Sequence, residues 1–172
     1  MKQLRLFAAA SGSERSPGQE VPIYWKLFVD GASKNNPGPA GAGVYLLKDG
    51  ETVCKEGVFL GSKTNNEAEY LALLYGLFLL SEWYQDGNVV SVISDSELLV
   101  KQIAGSYRVR KQELKPLCRL ACSMITAYGA SVEHVLRGKN TVADKMANEG
   151  VSKRVAPPEA FIEMLHRNEI VL

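Results

Sequence analysis

The sequence has few of the features that would place a protein outside the cell or in a membrane. Its three cysteines are an odd number without the spacing of a disulfide framework, which indicates reduced thiols. No apolar run reaches the roughly twenty residues that a membrane-spanning helix needs, and the amino terminus lacks the apolar core of a secretory signal. We therefore expect a cytoplasmic protein without a membrane partner.

An excess of charge of either sign is also missing. Twenty Lys and Arg residues stand against nineteen Asp and Glu residues, so overall charge does not indicate nucleic-acid binding. Six of the basic residues are nevertheless concentrated between Lys101 and Arg119, with Glu113 as the only acid. This segment is either a solvated helix face or a surface for a phosphate backbone.

The composition predicts one folded domain with two short flanking segments. At 172 residues and 46% apolar content, the chain can bury a substantial core. Residues 1–22 are expected to be a flexible tail and linker, because 1–7 are a short amphipathic stretch and 8–22 are mostly small or polar. Residues 23–153 form the predicted domain, and 154–172 a helical tail. We see no internal repeat and expect a monomer.

Hydrophobic periodicity and turn residues predict an α/β fold. Strands are predicted at 23–30, 41–48, 52–60, 89–94 and 131–136, and helices at 65–85, 96–103, 113–128, 141–151 and 159–166. The first three strands should form an antiparallel meander, and the last two, reached through helices, should run parallel to the first. The result is a five-stranded mixed sheet with helices on both faces. Ligands are expected at the carboxyl ends of its parallel strands.

Four segments deliver a carboxylate to the end of a predicted element. Asp30 and Asp95 follow apolar strands, Glu69 begins an apolar helical stripe, and Asp144 lies in the first turn of a helix. Each has an ordinary structural interpretation alone, as a turn residue, a helix cap or a partner of the helix dipole. Together they would repel one another unless cations bind, and hard carboxylate oxygens suit Mg²⁺.

Glu67 and Glu69 compete for one place in this cluster. Two residues apart on a helix correspond to about 200°, so their side chains face opposite ways. Glu69 shares the apolar stripe and is assigned to the cluster. Glu67 is assigned to a capping box with Thr64.

The segments around these carboxylates resemble the four motifs of type 1 ribonuclease H. The resemblance covers residues 24–151 in order and spacing, and rests on Phe28-Val29-Asp30-Gly31-Ala32-Ser33, Thr64-Asn65-Asn66-x-Ala68-Glu69-Tyr70, Ser94-Asp95-Ser96 and Asn140-x-x-Ala143-Asp144-x-x-Ala147-Asn148. It implies the ribonuclease H fold, two divalent ions (Mg²⁺, with Mn²⁺ as an alternative) and cleavage of the RNA strand of RNA–DNA hybrids, leaving 3′-hydroxyl and 5′-phosphate ends. It also implies that Asp30, Glu69, Asp95 and Asp144 bind the metal ions and are catalytic.

The resemblance also implies that Gly31, Ser33, Asn36, Asn65 and Asn66, together with Arg137, contact the substrate. From the charge distribution beside a carboxylate cluster, Arg108, Arg110 and Lys111 are also expected to bind the phosphate backbone. Arg137 stands in a short loop where many relatives carry a histidine thought to help product release. A basic handle with paired tryptophans is absent, which places the chain in the compact archaeal-like subgroup.

Two other functions remain open on the sequence. One is a catalytically weak nucleic-acid-binding module of the same fold, although all four carboxylates are present. The other is a related nuclease acting on another duplex. Exonucleases of this fold carry Asp-x-Glu on the first strand, where this chain has Ala32, and integrase-like enzymes carry glutamate where it has Asp144.

A last motif lies in the predicted tail. Gln3-Leu4-Arg5-Leu6-Phe7 resembles the pentapeptide with which bacterial replication proteins bind the sliding clamp. The resemblance implies apolar anchoring by its leucines and phenylalanine, and tethering of the domain through the linker. The alternatives are an unstructured terminus or a strand that packs on the domain.

Overall fold

The computed structural model describes residues 21–172. The predicted clamp motif at 3–7 and nearly all of the predicted tail and linker lie outside these residues. The strands are β1 Tyr24–Ser33, β2 Gly38–Lys48, β3 Glu51–Lys63, β4 Val89–Ser94 and β5 Ser131–His134. The helices are α1 Asn65–Leu80, α2 Glu97–Ile103, α3 Leu114–Ala127, α4 Thr141–Lys153 and α5 Glu159–Arg167, with a 3₁₀ turn at Arg137–Lys139.

The strands form one sheet in the order β3-β2-β1-β4-β5. β1, β2 and β3 pair antiparallel, whereas β4 pairs parallel with β1, and β5 parallel with β4. The predicted fold class is therefore confirmed. The hydrophobic runs of β1 and β4 are central in this sheet, since both strands have a neighbour on each side.

β1 differs from its predicted extent. We expected the strand to end at Asp30, but its pairing with β2 continues to Ser33, opposite Ala40. Its pairing with β4 stops earlier, at Phe28 opposite Ile93. Asp30 therefore lies inside a strand, at the point where β1 has lost its parallel neighbour. A crevice opens where adjacent strands part in this way, and this is where ligands bind in open α/β sheets.

Small residues bring helices close to both faces of the sheet. A Cβ atom on Gly31 of β1 would overlap the α1 backbone at Ala68, and one on Gly43 of β2 would overlap the α4 backbone at Ala143. Gly31 and Gly43 are one position out of register, so they face opposite sides of the sheet. α1 and α4 therefore cover opposite faces, and Asp30, paired with Gly43, points to the α4 side.

α1 begins as predicted and ends earlier. Thr64 caps it, and Glu67 completes the capping box, which confirms that assignment. The helix ends at Leu80 rather than near residue 85. The Ser81 hydroxyl donates to the Phe78 carbonyl at 2.6 Å, and Trp83, expected on the helical stripe, instead stacks on Trp25 with ring centroids 6.4 Å apart. Trp83 therefore lies beyond the helix end, in contact with β1.

The carboxyl-terminal segment contributes to the core. Phe161 and Leu165 of α5 are fully buried, and the Phe161 ring contacts Tyr75 of α1 with centroids 5.1 Å apart. The Phe59 amide of β3 also donates to the Val155 carbonyl at 2.8 Å. No helix within residues 21–172 is long and apolar enough to span a membrane.

Candidate active site

All four predicted carboxylates line one cleft at the carboxyl ends of β1 and β4. We call it the carboxylate cleft; its volume is about 440 Å³, and its lining residues are Asp30, Gly31, Ala32, Ser33, Asn65, Glu69, Asp95, Ser96, Arg137, Asp144 and Asn148. The carboxylates come from four elements far apart in sequence: β1, α1, the end of β4 and α4. The topology therefore assembles the cluster.

Burial and mutual repulsion make two of these carboxyl groups hard to ionise. Asp30 and Glu69 are each only 6% exposed. Burial, followed by the charges of Asp95 and Asp144, raises the pKa of Asp30 to about 7. Burial, followed by the charge of Asp30, raises the pKa of Glu69 well above its usual range. A bound cation would relieve the repulsion that disfavours their ionised forms.

Three of the carboxylates are held by different kinds of partner. The Gly31 amide donates to Glu69 Oε2 at 3.3 Å. The Asn140 side-chain amide donates to Asp95 Oδ1 at 2.8 Å, and the Arg137 guanidinium lies 3.2 Å from Asp144 Oδ1. Arg137 also lowers the pKa values of Asp30 and Glu69, so it partly offsets the negative charge of the cleft.

The assignment of Glu67 and Glu69 to different roles agrees with their contacts. Glu67 Oε2 accepts from the Thr64 amide at 2.8 Å and from the Thr64 hydroxyl at 2.6 Å, so it caps the helix. Glu69 is buried in the cleft. The Gly31 contact also explains the glycine, because any side chain there would displace the start of α1 that carries Glu69.

The donor set of the cleft consists of hard carboxylate oxygens, which suit Mg²⁺ and Mn²⁺. The carboxylates are close enough to shift one another's pKa values. Within residues 21–172, however, no three His, Cys, Asp or Glu side chains already surround a single metal position. The chemistry and charge of these residues therefore fit a divalent cation, although no three of their side chains surround one position.

The predicted substrate-contact residues divide between two depressions. Gly31, Ser33, Asn65 and Arg137 line the carboxylate cleft. Asn66, Arg108, Arg110 and Lys111 line a second depression of about 500 Å³, together with Leu98, Gln102, Ser106, Tyr107 and Leu114. We call this the basic groove. Asn36 lines neither depression, but its Oδ1 accepts from the Asn65 amide at 2.8 Å and so supports a cleft residue.

Three polar residues near the carboxylates were not predicted as site residues. Ser96 and Asn148 line the cleft, and Asn140 is buried behind it. The spacing of Asn148, four residues after Asp144, could have indicated its position, since residues four apart share a helix face. All three residues belong to the motifs that resemble type 1 ribonuclease H, but the sequence position of Asn140 does not reveal its contacts.

The histidine and cysteine side chains of residues 21–172 do not line the cleft. His134 ends β5 in register with Ser94, and is exposed. All three cysteines are free thiols, as expected. Cys118 and Cys122 share one face of α3 with their sulfur atoms 3.9 Å apart.

Comparisons with known proteins match the part of the chain that forms the sheet and the cleft. The family model described as Reverse transcriptase-like matches residues 28–150. A curated relative, Ribonuclease HI of Halobacterium salinarum, is 36% identical over 126 residues, which are 72% of this chain. The chain spans 62% of that relative's length.

Two solved structures are similar over the same region. The crystal structure of RNase H1 from Halobacterium salinarum has a TM-score of 0.71 and 34% identity, covering 76% of this chain and 98% of that chain. The crystal structure of LC11-RNase H1 in complex with an RNA/DNA hybrid has a TM-score of 0.69 and 34% identity, covering 76% and 97%. The matched family region, 28–150, contains all four cleft carboxylates.

Proposed function

The chain belongs to the reverse transcriptase-like family, among the type 1 ribonucleases H. On this premise we propose that it is an endoribonuclease that hydrolyses the RNA strand of RNA–DNA hybrids. The observation that carries the proposal is the convergence of Asp30, Glu69, Asp95 and Asp144 in one cleft. A similar protein, LC11-RNase H1, was solved with an RNA/DNA hybrid bound. The expected products have 3′-hydroxyl and 5′-phosphate ends.

Enzymes of this family depend on divalent metal ions. We propose that the four carboxylates hold two Mg²⁺ ions, with Mn²⁺ as an alternative. Two such ions supply an activated water and stabilise the leaving oxygen of an in-line displacement. The raised pKa values of Asp30 and Glu69 support this assignment, because cation binding favours the ionised forms that burial disfavours.

The other cleft residues position the hybrid in this proposal. The small residues from Gly31 to Ser33 let the β1 backbone approach the RNA strand, where a 2′-hydroxyl distinguishes RNA from DNA. Asn65 contacts the substrate from the start of α1, with Asn36 bracing its amide. The Arg137 side chain is 83% exposed, so it can reach a substrate or product phosphate. It would then help product release, as the loop histidine of many relatives is thought to do.

The basic groove is proposed to bind the phosphate backbone farther from the scissile bond. Arg108, Arg110 and Lys111 are exposed, and none forms an ion pair with another part of residues 21–172. Their charges are therefore available to phosphates. Asn66 lines the groove while Asn65 lines the cleft, so the start of α1 connects the two depressions.

The proposal extends to the whole chain. Residues 23–153 are the catalytic domain, 1–22 a tail and linker, and 154–172 a helical extension that packs on the domain. The free thiols support a reducing, cytoplasmic location. The protein is proposed to act as a monomer, and residues 3–7 to bind the replication sliding clamp.

The clamp proposal has a direct test. A peptide of residues 1–12 is titrated with the clamp of the source organism, beside a peptide carrying Leu6→Ala and Phe7→Ala. Micromolar binding that the substitutions abolish is the expected result. Absence of binding at high micromolar peptide, or equal binding by both peptides, would exclude it.

The activity is tested with an end-labelled RNA–DNA hybrid in Mg²⁺, Mn²⁺ or EDTA, with RNA–RNA and DNA–DNA duplexes as matched substrates. We expect cleavage of the RNA strand of the hybrid with either metal and none in EDTA. Preferential cleavage of another duplex would identify a related nuclease. Binding without cleavage in either metal would identify a binding module.

A further inference from the structure

Asn140 is a buried polar residue directly behind the carboxylate cleft. It precedes α4, is 1% exposed, and is contributed by the short loop that follows β5. Its Nδ2 donates to the Val29 carbonyl at 2.9 Å and to Asp95 Oδ1 at 2.8 Å. One amide group therefore connects the strand residue before Asp30 with the carboxylate of Asp95.

The main chain of Asn140 extends the same connection to a third carboxylate. Its carbonyl accepts from the Asp144 amide at 3.1 Å, in the first turn of α4. A single residue is thus bonded to the segments that carry Asp30, Asp95 and Asp144. These segments are otherwise far apart in sequence, so their relative positions depend on such cross-connections.

The contacts of Asn140 indicate that its side-chain N–H donors, and not its side-chain oxygen, determine its role in the site. Both amide hydrogens are used, whereas Oδ1 is buried and finds no donor among residues 21–172. A buried acceptor without a donor is unfavourable, so an apolar residue would fit this place better if only packing mattered.

A neutral donor suits the role chemically. It fixes the orientation of the Asp95 carboxylate without neutralising it, so the negative charge that attracts a divalent cation is kept. A Lys or Arg side chain at the same place would compete with that cation. Groups that orient ligand carboxylates from behind in this way tune metal affinity without touching the metal.

We propose that Asn140 is a positioning residue that holds Asp95 in the orientation required for metal binding. This inference rests on the proposed function, in which Asp95 is a metal ligand. It predicts an effect of Asn140 on the affinity for Mg²⁺ itself, separate from the affinity for the hybrid.

The test compares full-length Asn140→Ala with a matched control, Asn168→Ala. Asn168 also donates its Nδ2 to a main-chain carbonyl, that of Met164 at 2.8 Å, but it is exposed and does not line the cleft. Mg²⁺ binding is measured by titration calorimetry without nucleic acid, and kcat and KM for the hybrid are measured at several Mg²⁺ concentrations. Asn140→Leu, which keeps the branched heavy-atom shape without the amide, is included in case Asn140→Ala does not fold.

We expect Asn140→Ala or Asn140→Leu to weaken Mg²⁺ binding about 10–100-fold, the usual effect of removing such an orienting group. The value of kcat at limiting Mg²⁺ should fall similarly and recover as Mg²⁺ is raised, while KM for the hybrid changes less than about twofold. The control should match the unsubstituted protein. In an Asp95→Asn background, the same Asn140 substitution should change Mg²⁺ affinity less than about twofold.

Two results would overturn the inference. One is a folded Asn140 variant with unchanged Mg²⁺ affinity, and the other is an equal loss of affinity in the presence and absence of the Asp95 carboxylate. The proposed function is judged separately by hybrid cleavage of the unsubstituted protein. If the Asn140 variants bind Mg²⁺ more weakly but the unsubstituted protein cleaves no hybrid, the positioning role of Asn140 would stand. The proposed substrate would then be wrong.

Discussion

The carboxylate cleft and the basic groove lie on the two sides of the start of α1, and they are built differently. The cleft carboxylates are fixed by strands, helices and hydrogen bonds to neighbouring groups, and two of them are almost fully buried. The basic residues of the groove are exposed and lie in the connection between α2 and α3. Chemistry needs charges at fixed positions, whereas phosphate binding needs only charges within reach.

The difference predicts that single substitutions in the cleft abolish turnover, while several substitutions in the groove only weaken binding. Asp95→Asn should lower kcat for hybrid cleavage by more than about a thousandfold, because the amide removes a metal-binding charge at nearly constant shape. The fold should be retained, since repulsion in the cluster also falls. Near-normal turnover by the folded variant at saturating Mg²⁺ would contradict the assignment of Asp95.

A second experiment compares two glutamates on one helix. Glu69→Gln should lower kcat by about several hundredfold, since Glu69 lies in the cleft. Glu67→Gln should cost at most about 1 kcal/mol of stability through the cap and leave kcat within about twofold. Steady-state kinetics and thermal unfolding of both variants measure this. Equal losses of turnover in the two variants would mean that the assignment of Glu69 to the cleft and Glu67 to the cap is wrong.

The buried charge of the cleft should also appear as a pH dependence of stability without metal. The pKa of Asp30 is raised from 3.8 to about 7, so its contribution to stability is fully present below the unfolded pKa and is lost as pH rises through the folded value. In EDTA, stability should fall by about 3 kcal/mol between pH 5 and 8 from this residue.

Asp30→Asn is the matched variant for that measurement. Denaturant unfolding in EDTA should give a flatter pH profile for the variant, and Mg²⁺ should restore much of the lost stability of the unsubstituted protein at pH 8. Identical pH profiles for the two proteins would show that Asp30 ionises without cost in the folded state.

The smallest effect is expected in the groove. Changing Arg108, Arg110 and Lys111 together to alanine should raise KM for the hybrid about tenfold, flatten its dependence on salt, and leave kcat nearly unchanged. Changing Lys145, Lys153 and Arg167, which pair with Glu149 and Glu163, provides a charge-matched control outside the groove. If the salt dependence of KM is unchanged in the triple variant, these three residues are a solvated surface that does not bind the phosphate backbone.

Much of this protein could be predicted from local sequence. The strand and helix periods, the capping box at Thr64 and the opposite orientations of Glu67 and Glu69 depend on backbone geometry within a few residues. The order of the elements then predicted the mixed sheet, because handedness and crossover rules allow few alternatives. The four motifs therefore predict a shared site from the sequence alone.

Other features were decided only by tertiary structure. β1 continues past Asp30 because β2 still pairs with it, and α1 ends early where Trp83 meets Trp25. The Asn140 contacts with Val29 and Asp95 join segments that are distant in sequence, and the charges of Asp95 and Asp144 that help raise the pKa of Asp30 are also distant from it along the chain. The physical reason is that propensity and periodicity are set by neighbours along the chain, whereas burial, strand pairing and electrostatic coupling depend on neighbours in space.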